Sequence, residues 1–99
     1  MTKQDMVARL REKGAWVPEK RIKIDFGDEG VILLDGVAGA IVEEDQAADT
    51  VVSVSWEDLK ALGRGDLDPM SALMQGRLRI DGDMGGAMQL QGVIAQLRG

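Results

Sequence analysis

The 99-residue chain has no cysteine, no histidine and no tyrosine, and two tryptophans and one phenylalanine are its whole aromatic content. Without cysteine there is no disulfide and no thiolate nucleophile, although that absence alone does not fix a compartment. Without cysteine and histidine together, most catalytic triads and most zinc sites are excluded. Positive charge is scarce: 12 Lys and Arg stand against 17 Asp and Glu, a formal net charge of -5. Nucleic acids and anionic membrane surfaces favour clustered cations, so an acidic chain suits neither. No apolar run comes near the roughly 20 residues that span a bilayer. The first residues carry Asp5 and Glu12 and no apolar h-region, which argues against a signal or transit peptide. The expectation is a cytoplasmic protein with one domain, 1–99, and at most transient membrane contact.

The remaining reactive groups are carboxylates. Asp81 and Asp83 flank Gly82, and Asp66 stands two positions before Asp68. Neither pair continues into a D-x-D-x-D-G calcium loop. Asp68 and Asp83 both precede helical patterns, so each reads as a cap. Gly63-x-Gly65 lacks the third glycine of a dinucleotide fingerprint and the Lys-Ser/Thr of a phosphate loop. Lys20, Arg21 and Lys23 are the only basic cluster, and Asp25, Asp28 and Glu29 follow at once. That cluster reads as a solvated strand edge. No catalytic residue, metal or cofactor is assigned, and the chain is not expected to be an enzyme by itself.

Periodicity supplies the elements. Thr2-x-x-Asp5 caps a first helix with Met6, Val7 and Leu10 on one face and Gly14 past its end. Trp16-Val17-Pro18 connects it to Arg21–Phe26, which alternates as a half-buried strand. Gly27–Gly30 is a hairpin turn. Val31–Leu34 is continuously apolar, as in a strand covered on both faces or flanked by other strands, and Asp35-Gly36 turns the chain into a short strand over Gly39–Glu43. After a polar loop, Thr50, Val52, Val54 and Trp56 share one face of a fourth strand. Ser55-x-x-Asp58 is a capping box for a helix holding Leu59 and Leu62 and ending near Gly63 and Gly65. The order is α-β-β-β-β-α-α-β-α.

The segment Asp68–Leu97 carries most of the information. Asp68-Pro69 opens a short helix, because Asp supplies a cap oxygen and Pro sacrifices an N–H that would be unpaired there anyway. Gly76 stops it, Arg77–Asp81 alternates as a fifth strand, and a last helix begins near Met84. At about 100° per residue, Val93, Leu97, Leu90, Ile94, Ala87, Met84, Ala95 and Met88 sweep an arc of roughly 220°. A helix lying on one sheet needs a stripe only somewhat wider than about 100°. The surplus has to be covered by a second helix, a partner chain or a bound apolar molecule. Four of the six methionines, Met70, Met74, Met84 and Met88, fall on the two helices concerned. Methionine fills irregular space, so these four suit a soft pocket wall as well as ordinary core.

The run Gly65-x-x-Asp68-Pro69-x-Ser71-Ala72-x-Met74-Gln75-Gly76-Arg77-Leu78-x-Ile80-x-Gly82-Asp83-Met84-Gly85-x-Ala87-Met88-x-Leu90-Gln91 closely resembles the sterol carrier protein 2 family, the nonspecific lipid-transfer proteins. The uninterrupted spacing covers about a quarter of the chain. The sequence departs from the family at Leu73, where Phe is frequent, and at Gly86 and Gly92, where bulkier residues are usual. The two glycines are expected to loosen the last helix. The chain also ends at Gly99 without the peroxisomal tripeptide of eukaryotic members.

The resemblance implies an α+β fold: a five-stranded, mostly antiparallel sheet in the order 3-2-1-4-5, helices on one face, and an apolar tunnel between helices and sheet. Its wall would be Met70, Leu73, Met74, Ile80, Met84, Met88, Ile94 and Leu97, facing Val52, Val54, Trp56 and Leu59. Gln75 and Gln91 match glutamine positions of the family and could bond an ester, hydroxyl or carboxylate. The implied ligand is a fatty acid, a fatty acyl-CoA or a sterol-like lipid, held by methylene burial worth about 0.8 kcal/mol each. Two other readings of the same residues stand beside this one. The wall residues make a dry, filled core, or the over-wide face buries against a second copy or a lipid-metabolising partner enzyme.

Overall fold

In the computed structural model, which describes residues 2–83 together with residues 85, 86, 88, 89 and 92, the first helix starts where its capping residues place it. Helix α1 runs Lys3–Lys13. The Thr2 hydroxyl accepts from the Asp5 N–H at 3.1 Å, and the Asp5 carboxylate accepts from the Thr2 N–H at 2.9 Å. Both halves of the box are therefore closed, and Gly14 ends the helix at φ 60, in the left-handed region that glycine adopts without strain.

Five strands among the described residues form one sheet in the order β3-β2-β1-β4-β5: β1 Arg21–Asp25, β2 Val31–Asp35, β3 Ala40–Val42, β4 Thr50–Val54 and β5 Leu78–Gly82. Three pairings are antiparallel and β1–β4 is parallel, which is the mostly antiparallel sheet expected. Alternation assigns the faces. Ile22, Ile24, Ile32, Leu34, Ile41, Val52, Val54 and Leu78 enter the core, together with Met6, Val7 and Leu10 of α1. Leu59 and Leu62 come from α2 (Trp56–Arg64) and Ala72 from α3 (Pro69–Met74). The helices thus cover one face.

The other face is charged at its centre. Lys20, Arg21 and Lys23 do not lie at a sheet edge, because β1 is the middle strand. The alternation showed one wet face correctly but carried no information on strand order. Arg21 lies 3.3 Å from Asp35 and Lys23 reaches Asp45 at 2.7 Å, while Lys20, one residue before β1, pairs with Asp83 beside Gly85 of the last helix. The Lys23–Asp45 contact draws the 43–49 connection across this face. Beneath it Leu33 is fully buried, although it points away from the helices. That is why all five residues of β2 are buried.

Two close approaches hold the layers together. A Cβ on Gly36 would overlap the Val17 carbonyl oxygen, so glycine is what lets the hairpin meet the connector. Gly86, helical and buried, sits so near β4 that a Cβ would come within 2.7 Å of Thr50 Oγ1. Gly86 is therefore a point of close approach between the last helix and β4. Met84, Ala87, Leu90, Gln91 and residues 93–99 lie outside the described residues, and most of the apolar arc lies with them.

Candidate functional site

The proposed wall divides into three groups. Val52, Val54 and Leu59 are buried in the core, with Trp56, Leu73 and Ile80 partly buried against it. Met70, Met74 and Met88 are instead 61%, 83% and 73% exposed. Met84, Gln91, Ile94 and Leu97 lie outside the described residues. The inner ends of β4 and β5 and the start of α2 thus meet in one apolar region. Met70 and Met74 of α3, and Met88, stand at the surface.

Trp56 is not on the strand face. Ser55 leaves the sheet and caps α2 by accepting from the Asp58 N–H at 3.1 Å, so Trp56 becomes the first residue of the helix. Its ring meets Phe26 edge-on, with centroids 5.5 Å apart and planes at 82°. Lys60 Nζ stands 5.7 Å from the Trp56 ring centroid. The tryptophan is held in place from both sides.

The capping box read at Ser55 and Asp58 closes only on the Ser55 side, because the Asp58 carboxylate turns to Arg77 instead of the Ser55 N–H. That carboxylate accepts from Arg77 Nη2 at 2.6 Å, tying α2 to the chain entering β5. The Arg77 guanidinium, and then the Ser55 hydroxyl, hold the Asp58 carboxyl below the usual carboxylate range despite some desolvation. Asp58 in turn raises Arg77. Gln75 is exposed, and its amide oxygen accepts from Arg77 Nη1 at 3.3 Å. Asp83 is also depressed, first by Lys20 and next by the Gly85 N–H, which it caps at 2.9 Å. Thr50 Oγ1 donates to the Asp83 carbonyl at 2.7 Å, and both contacts fix the last helix to the sheet.

An open cleft of about 340 Å³ lies at the far end of β1, β4 and β5, lined by Asp25, Phe26, Gly27, Ser53, Val54, Ser55, Gly76, Arg77 and Arg79. Its volume is at the small end of ligand pockets, roughly 300–1,000 Å³. Only Val54 belongs to the wall read from the sequence. The alternation Arg77-x-Arg79 opposite Ser53-x-Ser55 was the available signal, but it becomes a cleft only through the β4–β5 register, Ser53↔Arg79. Among the described residues no cluster of three or more acidic groups could hold a metal. No helix among them is long and apolar enough to cross a membrane.

The geometry defines an α+β domain with one apolar, helix-covered sheet face and one charged face. Residues 3–95 match the model of the SCP-2 sterol transfer family, and the chain belongs to that family. Sterol carrier protein 2 of Gallus gallus is 37% identical over 94% of this chain, and sterol carrier protein 2 of Homo sapiens is 36% identical over 71% of it. The chain spans about a fifth of the length of the Gallus gallus protein, 19%. Among solved structures, the sterol carrier protein 2 of Aedes aegypti in complex with palmitate superimposes with a TM-score of 0.76 at 20% identity, covering 96% of this chain and 97% of that one. The two share one fold over nearly their whole lengths.

Proposed function

We propose that residues 1–99 act as one lipid-binding domain that carries a fatty acid, fatty acyl or sterol-like ligand in an apolar tunnel between helices and sheet. The observation that carries this reading is the exposure of Met70, Met74 and Met88. A folded chain of this family leaves three flexible apolar side chains in water on helices that border a buried apolar region. A long-chain lipid would return that surface to an apolar environment, at about 25 cal/mol per Å². The palmitate in the Aedes aegypti relative supports the same ligand class. The wall proposed is the one read from the sequence, with Gln75 and Gln91 as its polar groups.

No catalytic step is part of this reading, since the chain has neither histidine nor cysteine. The cytoplasm is the proposed compartment. A second reading rests on length: the chain corresponds to a fraction of its curated relatives, so it also suits a module that presents lipid to a partner enzyme. Organic extraction of freshly purified protein, followed by mass spectrometry, should release lipid. Delipidated protein should then bind a fluorescent fatty acid, and stoichiometric unlabelled lipid should displace that probe. Protein that carries no lipid and ignores such probes would overturn the carrier reading.

A further inference from the structure

The outer edge of β5 has an unusual charge order. In the segment Arg77-Leu78-Arg79-Ile80-Asp81-Gly82-Asp83 the sign of the charge reverses about Ile80. Arg79 and Asp81 alternate with the core-facing Leu78 and Ile80, so these two charges share the open face, while Arg77 and Asp83 flank the strand and are engaged by Asp58 and Lys20. Among the described residues, Arg79 and Asp81 are exposed, and no ion pair or hydrogen bond joins either side chain to another.

β5 ends the sheet. The Asp83 N–H donates to the Asp49 carbonyl at 2.9 Å, continuing the register Val51↔Asp81 and Ser53↔Arg79. Odd-numbered residues therefore bond to β4, and the N–H and C=O of Leu78, Ile80 and Gly82 face outward. No described residue bonds to those outward backbone groups. An open strand edge of this kind is a template for another strand.

We infer that this edge pairs with the β5 of a second copy, antiparallel and centred on Ile80. In that register Ile80 faces its own mate as a hydrogen-bonded pair. Arg79 then stands opposite Asp81 of the other copy as a non-hydrogen-bonded pair, where side chains come closest. Centring on Arg79 or Asp81 instead sets Arg against Arg or Asp against Asp, and centring on Leu78 or Gly82 leaves Arg79 and Asp81 out of register with each other. Only the Ile80 register pairs them, so the charge order selects both the partner and the alignment. The two-fold axis stands perpendicular to the sheet, giving a closed, isologous dimer with all helices on one side. The contact is one short strand, below the roughly 1,000 Å² of stable interfaces, so association is weak and concentration-dependent.

The pairing uses the sheet edge and does not rest on ligand binding. Sedimentation equilibrium from about 10 µM to about 1 mM should show a reversible monomer–dimer equilibrium, weak enough to need this range. Arg79→Asp or Asp81→Arg alone should weaken self-association by about tenfold or more, since two cross-strand pairs turn repulsive. An equimolar mixture of the two variants should regain it as a heterodimer, because every facing pair is then complementary. Ile80→Pro should abolish pairing while leaving the β4 ladder intact, since the lost N–H points outward. Circular dichroism establishes that each variant is folded. A wild type monomeric at about 1 mM overturns the inference. So does a dimer unchanged by the single reversals, or a mixture that stays monomeric.

Discussion

Helices α1 and α3 both begin with a side-chain cap and both contain methionine, yet they use it in opposite ways. In α1, Met6 is buried beside Val7 and Leu10, and the helix closes the core over β3. In α3, Met70 and Met74 stay in water, and Ala72 is the fully buried residue that anchors the turn. The residue type is the same, and both helices lie over an edge strand, α1 over β3 and α3 by β5; what differs is how much of each helix enters the core. Helix α1 sends Met6, Val7 and Leu10 into a core that includes Ile22, Ile32, Leu34 and Ile41. Helix α3 is a six-residue helix whose one fully buried residue is Ala72. The C-terminal part of the chain is therefore where apolar surface is left over.

This contrast can be tested by substitution. The largest effect should come from Leu10→Ala, which removes a fully packed side chain and should cost about 2–5 kcal/mol in urea unfolding. Gly86→Ala should come next, because the added methyl meets Thr50 Oγ1 at 2.7 Å. It should cost about 1–3 kcal/mol, typical of overpacking, although alanine is the better helix former. Met88→Asp should weaken fatty-acid binding by about tenfold or more, which is about 1.4 kcal/mol, while Gln89→Asp should leave it within about twofold. Equal losses from the two would remove the assignment of Met88 to the ligand wall. The smallest effect should be that of Met74→Ala, within about 0.5 kcal/mol of wild-type stability, as for exposed positions generally. A loss matching that of Leu10→Ala would erase the contrast between the helices.

Acid should act on both regions through the same chemistry. Asp5, Asp35, Asp58 and Asp83 all titrate below the usual carboxylate range in the folded chain. Their causes are the Thr2 N–H for Asp5, the Ala38 N–H for Asp35, Arg77 for Asp58 and Lys20 for Asp83. A depressed folded pKa means that the unfolded chain takes up protons first. These groups contribute full stability above about pH 4 and lose it as the pH falls through their folded values. Urea midpoints should therefore drop on acidification below about pH 4. Asp83→Asn should make that drop shallower, by removing the group that pairs with Lys20 and caps Gly85. An unchanged acid profile in this variant would place the proton uptake elsewhere.

Much of the fold was legible because its signals are local. Thr2 with Asp5 and Asp68 with Ser71 act across three residues, and both caps form as read. The alternation of Arg21–Asp25 needs only the two-residue period of a strand. The continuous run Val31–Leu34 correctly signalled cover on both faces, although not that a connecting loop provides it. The strand order came with the family resemblance, since periodicity places residues on faces but does not arrange strands side by side. Of the ligand wall, the sequence grouped the apolar residues of β4, β5 and α2, which do meet, with methionines that remain at the surface.

The sequence by itself determined the order of the described helices and strands, which side of the alternating strands is apolar, and that no thiol or imidazole is available for chemistry. Tertiary structure alone decided that Lys23 sits mid-sheet, that Asp58 reaches Arg77 across 19 positions, and that Lys20 meets Asp83 across 63. It also decided that Gly36 and Gly86 are points of close approach. Capping and periodicity depend on neighbours within one turn of the chain. Ion pairs and backbone contacts between distant residues depend on how whole layers are stacked, which no short stretch of sequence encodes.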